Sequence, residues 1–160
     1  MWLCSELGKG EYACLITIVL VALSLKKLRL APSLLLIFAA LGAGVTTEII
    51  KADVARPRPL SAMGESVHVV GEELRQRSFP SGHTACAFAL LTCAGGILRR
   101  RRAWMVGSAL ASLVGLSRIF VGAHYPGDVL GGALLGMLCG TLAARAYAWI
   151  SARETSMHQG

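Results

Sequence analysis

Five apolar runs divide this chain, at about residues 12–30, 32–50, 81–98, 103–121 and 128–150. Each is near the roughly 20 residues an α-helix needs to cross about 30 Å of hydrocarbon. The pattern predicts an all-α, polytopic membrane bundle of about five transmembrane helices, forming a single domain over residues 1–160. Composition agrees: 54% of residues are apolar and 16% charged, where a soluble domain carries about 25% charged residues. So little polar sequence excludes a disordered chain, a disulfide-stapled secreted module and a two-domain protein.

The runs have legible ends. The first is short, and Leu28 and Leu30 extend it when Lys26 and Lys27 snorkel to the interface. It reads as a span rather than a signal peptide, because Glu6 and Glu11 precede it, the basic cluster follows it, and no A-x-A site appears. Pro32 suits the first turn of the second span, and Lys51 marks its exit. Residues 52–80 are the long polar segment, opening with Arg56-Pro57-Arg58-Pro59, where a helix cannot continue. In the last run Gly132, Gly136 and Gly140 recur every fourth position, which lets a second helix backbone approach closely in lipid.

Charge sets the expected orientation. Five spans place Lys26, Lys27, Arg29, Arg99 to Arg102, Arg145 and Arg153 on one side, nine of the 16 basic residues, with Glu154 the acid among them. The positive-inside rule makes that side cytoplasmic. The 52–80 loop and the turn at 122–128 then face outward. A net charge of +7 would suggest nucleic acid in a soluble chain, but here the cations cluster at helix ends and no stacking platform accompanies them. The five cysteines show no metal-ligand spacing and are expected to pack as small hydrophobes.

The polar residues at the outward ends form a pattern. Lys51, Arg58 and Arg118 supply three cations, suited to a phosphate carrying about two negative charges, which Arg holds with a planar fork and Lys as a point charge. Ser81 is placed to cap the third span, so that the backbone N–H groups at its start, including that of Gly82, bind an anion. His124 and Asp128 lie four apart around Pro126, which lets the carboxylate reach back and hold one ring nitrogen. The other nitrogen is then free to attack phosphorus. His83, at the mouth of the third span, is the expected acid that protonates the leaving group. Three nearby cations disfavour a metal built on His83, His124 and Asp128.

Taken together, Lys51 with Arg58-Pro59, then Pro80-Ser81-Gly82-His83, then Ser117-Arg118 with His124 and Asp128, resemble the tripartite signature of the type 2 phosphatidic acid phosphatase (PAP2) superfamily. The resemblance runs from Lys51 to Asp128. It implies metal-independent phosphate removal through a phosphohistidine, without a cofactor. Carried over by position, it makes His124 the nucleophile, Asp128 its orienting partner and His83 the acid, with Lys51, Arg58, Ser81, Gly82 and Arg118 binding phosphate. Two runs precede Lys51, where bacterial integral members commonly have three.

The expected substrate is a lipid phosphate or diphosphate, with undecaprenyl diphosphate or phosphatidylglycerophosphate first. A site level with the membrane surface leaves the tail in hydrocarbon. The expected location is a bacterial-type inner membrane with the site facing the periplasm, and the expected partners are membrane lipids rather than nucleic acid. The alternative is a carrier or flippase that binds a lipid phosphate without cleaving it; the His124–Asp128 pairing distinguishes the two, since a binder has no use for it.

Overall fold

The structure, a computed structural model, describes residues 30–67, 69–70 and 73–157; the expected first span at 12–30 lies almost wholly outside these residues, as do Lys26, Lys27, Arg29 and His68. Among the described residues four long helices appear: α1 (Leu30–Val54), α3 (Gly82–Leu98), α4 (Arg101–Phe120) and α5 (Pro126–Met157), with a short α2 (Pro59–Met63) between the first two. No strand occurs among them. Three segments, Pro32–Met63, Arg101–Phe120 and Pro126–Arg153, hold helix long and apolar enough to cross a membrane, and Gly82–Leu98 is a shorter apolar helix. The chain is an integral membrane protein of helical architecture.

The packing follows from side-chain size. In lipid, helices gain little by hiding apolar surface from one another, so close approach of small residues decides which faces meet. The buried cluster between α1, α3 and α5 is accordingly built largely from Ala39, Ala43, Ala85, Ala89 and Cys93, with Leu36, Leu90 and Ile97 filling the gaps. On α5 the glycine stripe faces α3. A side chain at Gly132 would come within 2.5 Å of the Ser81 carbonyl, and one at Gly140 within 2.5 Å of the Ala89 carbonyl; Gly136 is pressed equally hard against Ala85. The opposite face of α5 carries Leu130, Leu134, Leu138 and Leu142, all exposed. Leu34, Phe38, Leu41, Val45 and Ile49 form a similar outward stripe on α1. A two-faced helix of this kind turns glycine to protein and leucine to lipid.

Several helix ends depart from the expected boundaries. Helix α1 continues to Val54, so Lys51 sits in its last turn rather than beyond it. Helix α5 runs on to Met157, where the Arg153 guanidinium stacks 3.7 Å from the Trp149 ring centroid. Within the polar segment Pro59 starts a helix instead of only ending one: its missing N–H costs nothing at a first helical position. Helix α3 has 17 residues. At about 1.5 Å per residue this is roughly 25 Å, shorter than the hydrocarbon thickness of about 30 Å. The Ser81 N–H donates to the Asp128 carbonyl at 3.0 Å, tying the start of α3 to the first turn of α5.

Candidate active site

The polar residues gather where α1 ends, α3 and α5 begin and α4 ends. Lys51, on the last turn of α1, is held by Glu48 at 2.7 Å, the local ion pair its i, i+3 spacing favours. Its ammonium also reaches the start of α3: a methyl at Gly82 would lie 3.6 Å from Lys51 Nζ and 3.5 Å from the Thr47 methyl. Thr47 is buried, and its hydroxyl makes no hydrogen bond.

Arg58 and Arg118 are charged side chains with very little exposure, 9% and 5%, and a buried guanidinium is stable only where acceptors surround it. Arg58 donates from Nε to the Gln76 carbonyl at 3.0 Å and from Nη1 to the Ala123 carbonyl at 3.4 Å. It thereby pins the polar segment to the α4–α5 turn. Arg118 donates from Nε to Ser117 Oγ at 3.2 Å. The Arg118 carbonyl accepts from the N–H groups of Ala123 and His124, at 3.1 and 3.2 Å, which curls the turn so that His124 points back into the protein. Gly122, at φ 70°, permits that turn.

The two imidazoles share one electrostatic environment. Arg118, Lys51 and Arg58 are the cations acting on His83, and Arg58 and Lys51 also act on His124. His124 lies in the turn between α4 and α5 and is 4% exposed. Burial first, then the Arg58 charge, pushes it from the usual 6.5 down to about 4, with Lys51 adding to the effect while the Asp128 carboxylate and the Ser78 main chain oppose it. The ring is therefore neutral at pH 7, the form in which nitrogen is a nucleophile.

Two expectations about local bonding are modified. Ser81 occupies the position before α3 with extended backbone, but its side chain makes no capping bond. Its oxygen instead accepts from the Thr84 hydroxyl at 2.9 Å, so it does not satisfy the first N–H groups of α3. Asp128 is fully buried in the first turn of α5, yet its Oδ2 stands 3.7 Å from His124 Nδ1, and that nitrogen has no hydrogen-bond partner. The carboxylate is occupied by others: the Ser78 hydroxyl and, at 2.9 Å, the Tyr125 N–H donate to Oδ2. Arg56 Nη1 donates to Oδ1 at 2.7 Å.

All eight residues singled out from the sequence thus lie at one end of the bundle. Arg56 and Ser78 are further polar residues of the site that sequence reading passed over. A partial signal is that a carboxylate as deeply placed as that of Asp128 needs a counter-charge, and Arg56 lies two residues from Arg58 in the same polar segment. Among the described residues no three His, Cys, Asp or Glu side chains cluster as metal ligands.

A helical membrane protein that gathers two imidazoles and three cations at one end of its bundle is a defined class. The PAP2 superfamily matches this chain over residues 32–152, and the chain belongs to that superfamily. It is 43% identical over 76 residues to a lipid A 1-phosphatase of Porphyromonas gingivalis, a match covering 46% of this chain and 16% of that protein. Over 86 residues it is 37% identical to undecaprenyl-diphosphatase BcrC of Bacillus subtilis, covering 54% of this chain and 42% of the relative. The chain therefore spans less than half the length of these relatives. The solved structure of Aquifex aeolicus LpxE superposes with a TM-score of 0.69 at 30% identity, covering 88% of this chain and 81% of the other.

Proposed function

We propose that this protein is a membrane phosphatase that removes phosphate from a lipid phosphate or diphosphate without a metal, through a phosphohistidine. The observation that carries the reading is the gathering of both imidazoles among cations at one end of the bundle: Lys51, Arg58 and Arg118 act on His83, and Lys51 and Arg58 on His124. The three cations and the first N–H groups of α3 bind the phosphoryl oxygens, Gly82 keeping the backbone accessible beside Lys51. His124 attacks phosphorus through the nitrogen turned away from Asp128. The bond from phosphorus to the leaving oxygen breaks as His83, protonated once the bound phosphate offsets the surrounding cations, donates that proton to the oxygen. Water, deprotonated by His83, then attacks the phosphohistidine and releases inorganic phosphate. Catalytic hydrogen bonds often tighten only when substrate binds, so the 3.7 Å separation of His124 and Asp128 is within reach of the orienting role.

The substrate class is supported by where the site lies and by the relatives. Lys51 and Arg118 lie in the last turns of α1 and α4 and Asp128 in the first turn of α5, a placement at the ends of apolar helices that would keep the phosphate near the head-group level while an acyl or prenyl tail stays in lipid. The named relatives are a lipid A 1-phosphatase and an undecaprenyl-diphosphatase, and a phosphatidylglycerophosphatase B of Bacillus subtilis is 34% identical over 70 residues. The basic residues at the opposite end, Arg99 to Arg102 and Arg145, support an outward, periplasmic site in a bacterial-type inner membrane.

The test is phosphate release by purified protein in detergent across prenyl, glycerolipid, lipid A and sugar phosphates, with and without chelator. Turnover of a lipid phosphate in chelator is expected. His124→Ala should abolish it while the protein stays folded; unchanged release would overturn the covalent route. Binding without turnover by the unaltered protein would favour a carrier.

A further inference from the structure

The Asp128 carboxylate is enclosed by a closed circuit of contacts drawn from three parts of the chain. Arg56, just past the end of α1, donates to Oδ1 at 2.7 Å. Its guanidinium lies 4.3 Å from the Tyr125 ring centroid, a stacking that holds a cation in place without competing for its donors. The Arg56 carbonyl accepts the Ser78 N–H at 2.9 Å, and the Ser78 hydroxyl returns to Asp128 Oδ2. Tyr125 closes the circuit with its N–H on the same oxygen.

The backbone is bent to make this possible. Ala55 and Arg77, the residues immediately before Arg56 and Ser78, both have positive φ, 44° and 58°. Side chains other than glycine rarely adopt that region, and such conformations persist where surrounding contacts impose them and cluster at functional sites. Two of the three donors to Asp128 thus each follow directly on a residue of positive φ.

We propose that Arg56 is a positioning residue: it fixes the Asp128 carboxylate, and through it the orientation of the His124 imidazole. This rests on the phosphatase reading above. Ion pairing with Arg56 offsets part of the Asp128 charge toward the ring, and three donors leave it little freedom to rotate. The charged groups acting on His124 are then Lys51 from α1, Arg58 from the polar segment and Asp128 from α5, the last paired with Arg56. Loss of the Arg56 charge would expose the ring to an uncompensated carboxylate, favour the imidazolium and withdraw the nucleophile. Arg56 itself is 41% exposed at its side chain, so it is also the member of the circuit that solvent conditions reach.

The experiment compares wild type, Arg56→Gln, Arg56→Lys, Asp128→Asn and the Arg56→Gln/Asp128→Asn double variant, with phosphatidate and farnesyl diphosphate in detergent micelles. Arg56→Gln should lower kcat by about 100-fold, the scale of a misplaced reacting group, with KM within about twofold. The acid limb of its kcat/KM profile should move to higher pH. Arg56→Lys should recover part of the loss. In the Asp128→Asn background Arg56→Gln should cost nothing further and shift no limb, because the two act as one unit. Additive losses, or a change in KM alone, would overturn the proposal, the latter marking Arg56 as a substrate ligand. Failure of both Arg56 variants to fold while Asp128→Asn folds would also overturn it. An inactive wild type removes the phosphatase reading and this inference with it; an active wild type killed by His124→Ala but indifferent to Arg56→Gln removes this inference alone.

Discussion

The two ends of the bundle use the same amino acid in opposite ways. At one end Arg58 and Arg118 are buried, with main-chain carbonyls and a serine hydroxyl accepting from their guanidinium groups. At the other, Arg99, Arg100, Arg101 and Arg102 are all exposed around the α3–α4 connection. Burying a guanidinium costs desolvation that only fixed acceptors offset, so a chain that buries two at one rim has a use for their fixed positions. An exposed arginine at a membrane edge needs no such use; orientation in the bilayer suffices. Burial, rather than charge, distinguishes Arg58 and Arg118 from the four arginines at the other end.

The comparison breaks most directly at the buried end. Replacing Arg58 or Arg118 by alanine should lower kcat/KM by about 100- to 1,000-fold, the range for removing one fixed donor to a developing anion. Arg118→Lys should not restore it fully, because an ammonium lacks the planar fork. A loss below about threefold for either alanine variant would place that arginine among the topological cations.

Next in size is the helix contact that brings the rim together. Leucine at Gly136 would drive a side chain into the Ala85 carbonyl and Phe88, and overpacking of this sort costs about 1–3 kcal/mol or more. Gly136→Leu should lower the midpoint of thermal unfolding in detergent and lose activity with it. The control is Leu138→Ala, on the exposed face of the same helix, which should leave both nearly unchanged.

How much of this was legible in the sequence follows from what each residue type reports. Lys51, Arg58, His83, Arg118, His124 and Asp128 carry their chemistry in their identity, and the apolar runs between them dictate that they meet at one side of a membrane. The glycine stripe was equally readable, since its period is that of the helix. Arg56 and Ser78 were not, because their partner Asp128 lies 72 and 50 residues away. Only tertiary structure decides which of two neighbouring arginines faces the carboxylate. Ser81 was read from its cap propensity, but Thr84 one turn later offered its hydroxyl a competing partner. Helix α2 was missed because Pro59 ends one helix and starts another with the same property, a fixed φ and no N–H.

A smaller effect concerns pH. His124 is neutral in the fold down to about 4, while an unfolded imidazole titrates at 6.5. Between these values the unfolded chain binds the extra proton, so this group's contribution to stability is present above about pH 6.5 and is lost progressively as pH falls toward 4. Activity should persist across the same window, because the nucleophile stays unprotonated, and fall as pH passes below it. Thermal unfolding and kcat/KM measured between pH 4 and 8 should therefore separate, stability declining before activity per folded molecule does. A kcat/KM that halves near pH 6.5 would mean that the ring is solvated and that burial at this end does not control it.

The smallest expected effect lies at the exposed end. Arg101→Gln and Arg102→Gln remove charges that face solvent in the first turn of α4, on the far side of the bundle from both imidazoles. Cations there also sit at the helix N-terminus, the end whose partial positive charge they do not complement, so their loss should be neutral or slightly favourable to the isolated helix. Activity of the purified double variant should stay within about twofold of wild type, as surface substitutions away from packed features usually fall within ±0.5 kcal/mol. What should change is insertion. With fewer positive charges on this side the positive-inside bias weakens, and protease or thiol-labelling access to the 52–80 segment in intact cells should show a mixed orientation. A large loss of activity in detergent, where no insertion bias operates, would show that these arginines serve the site and that exposure alone does not distinguish the two ends.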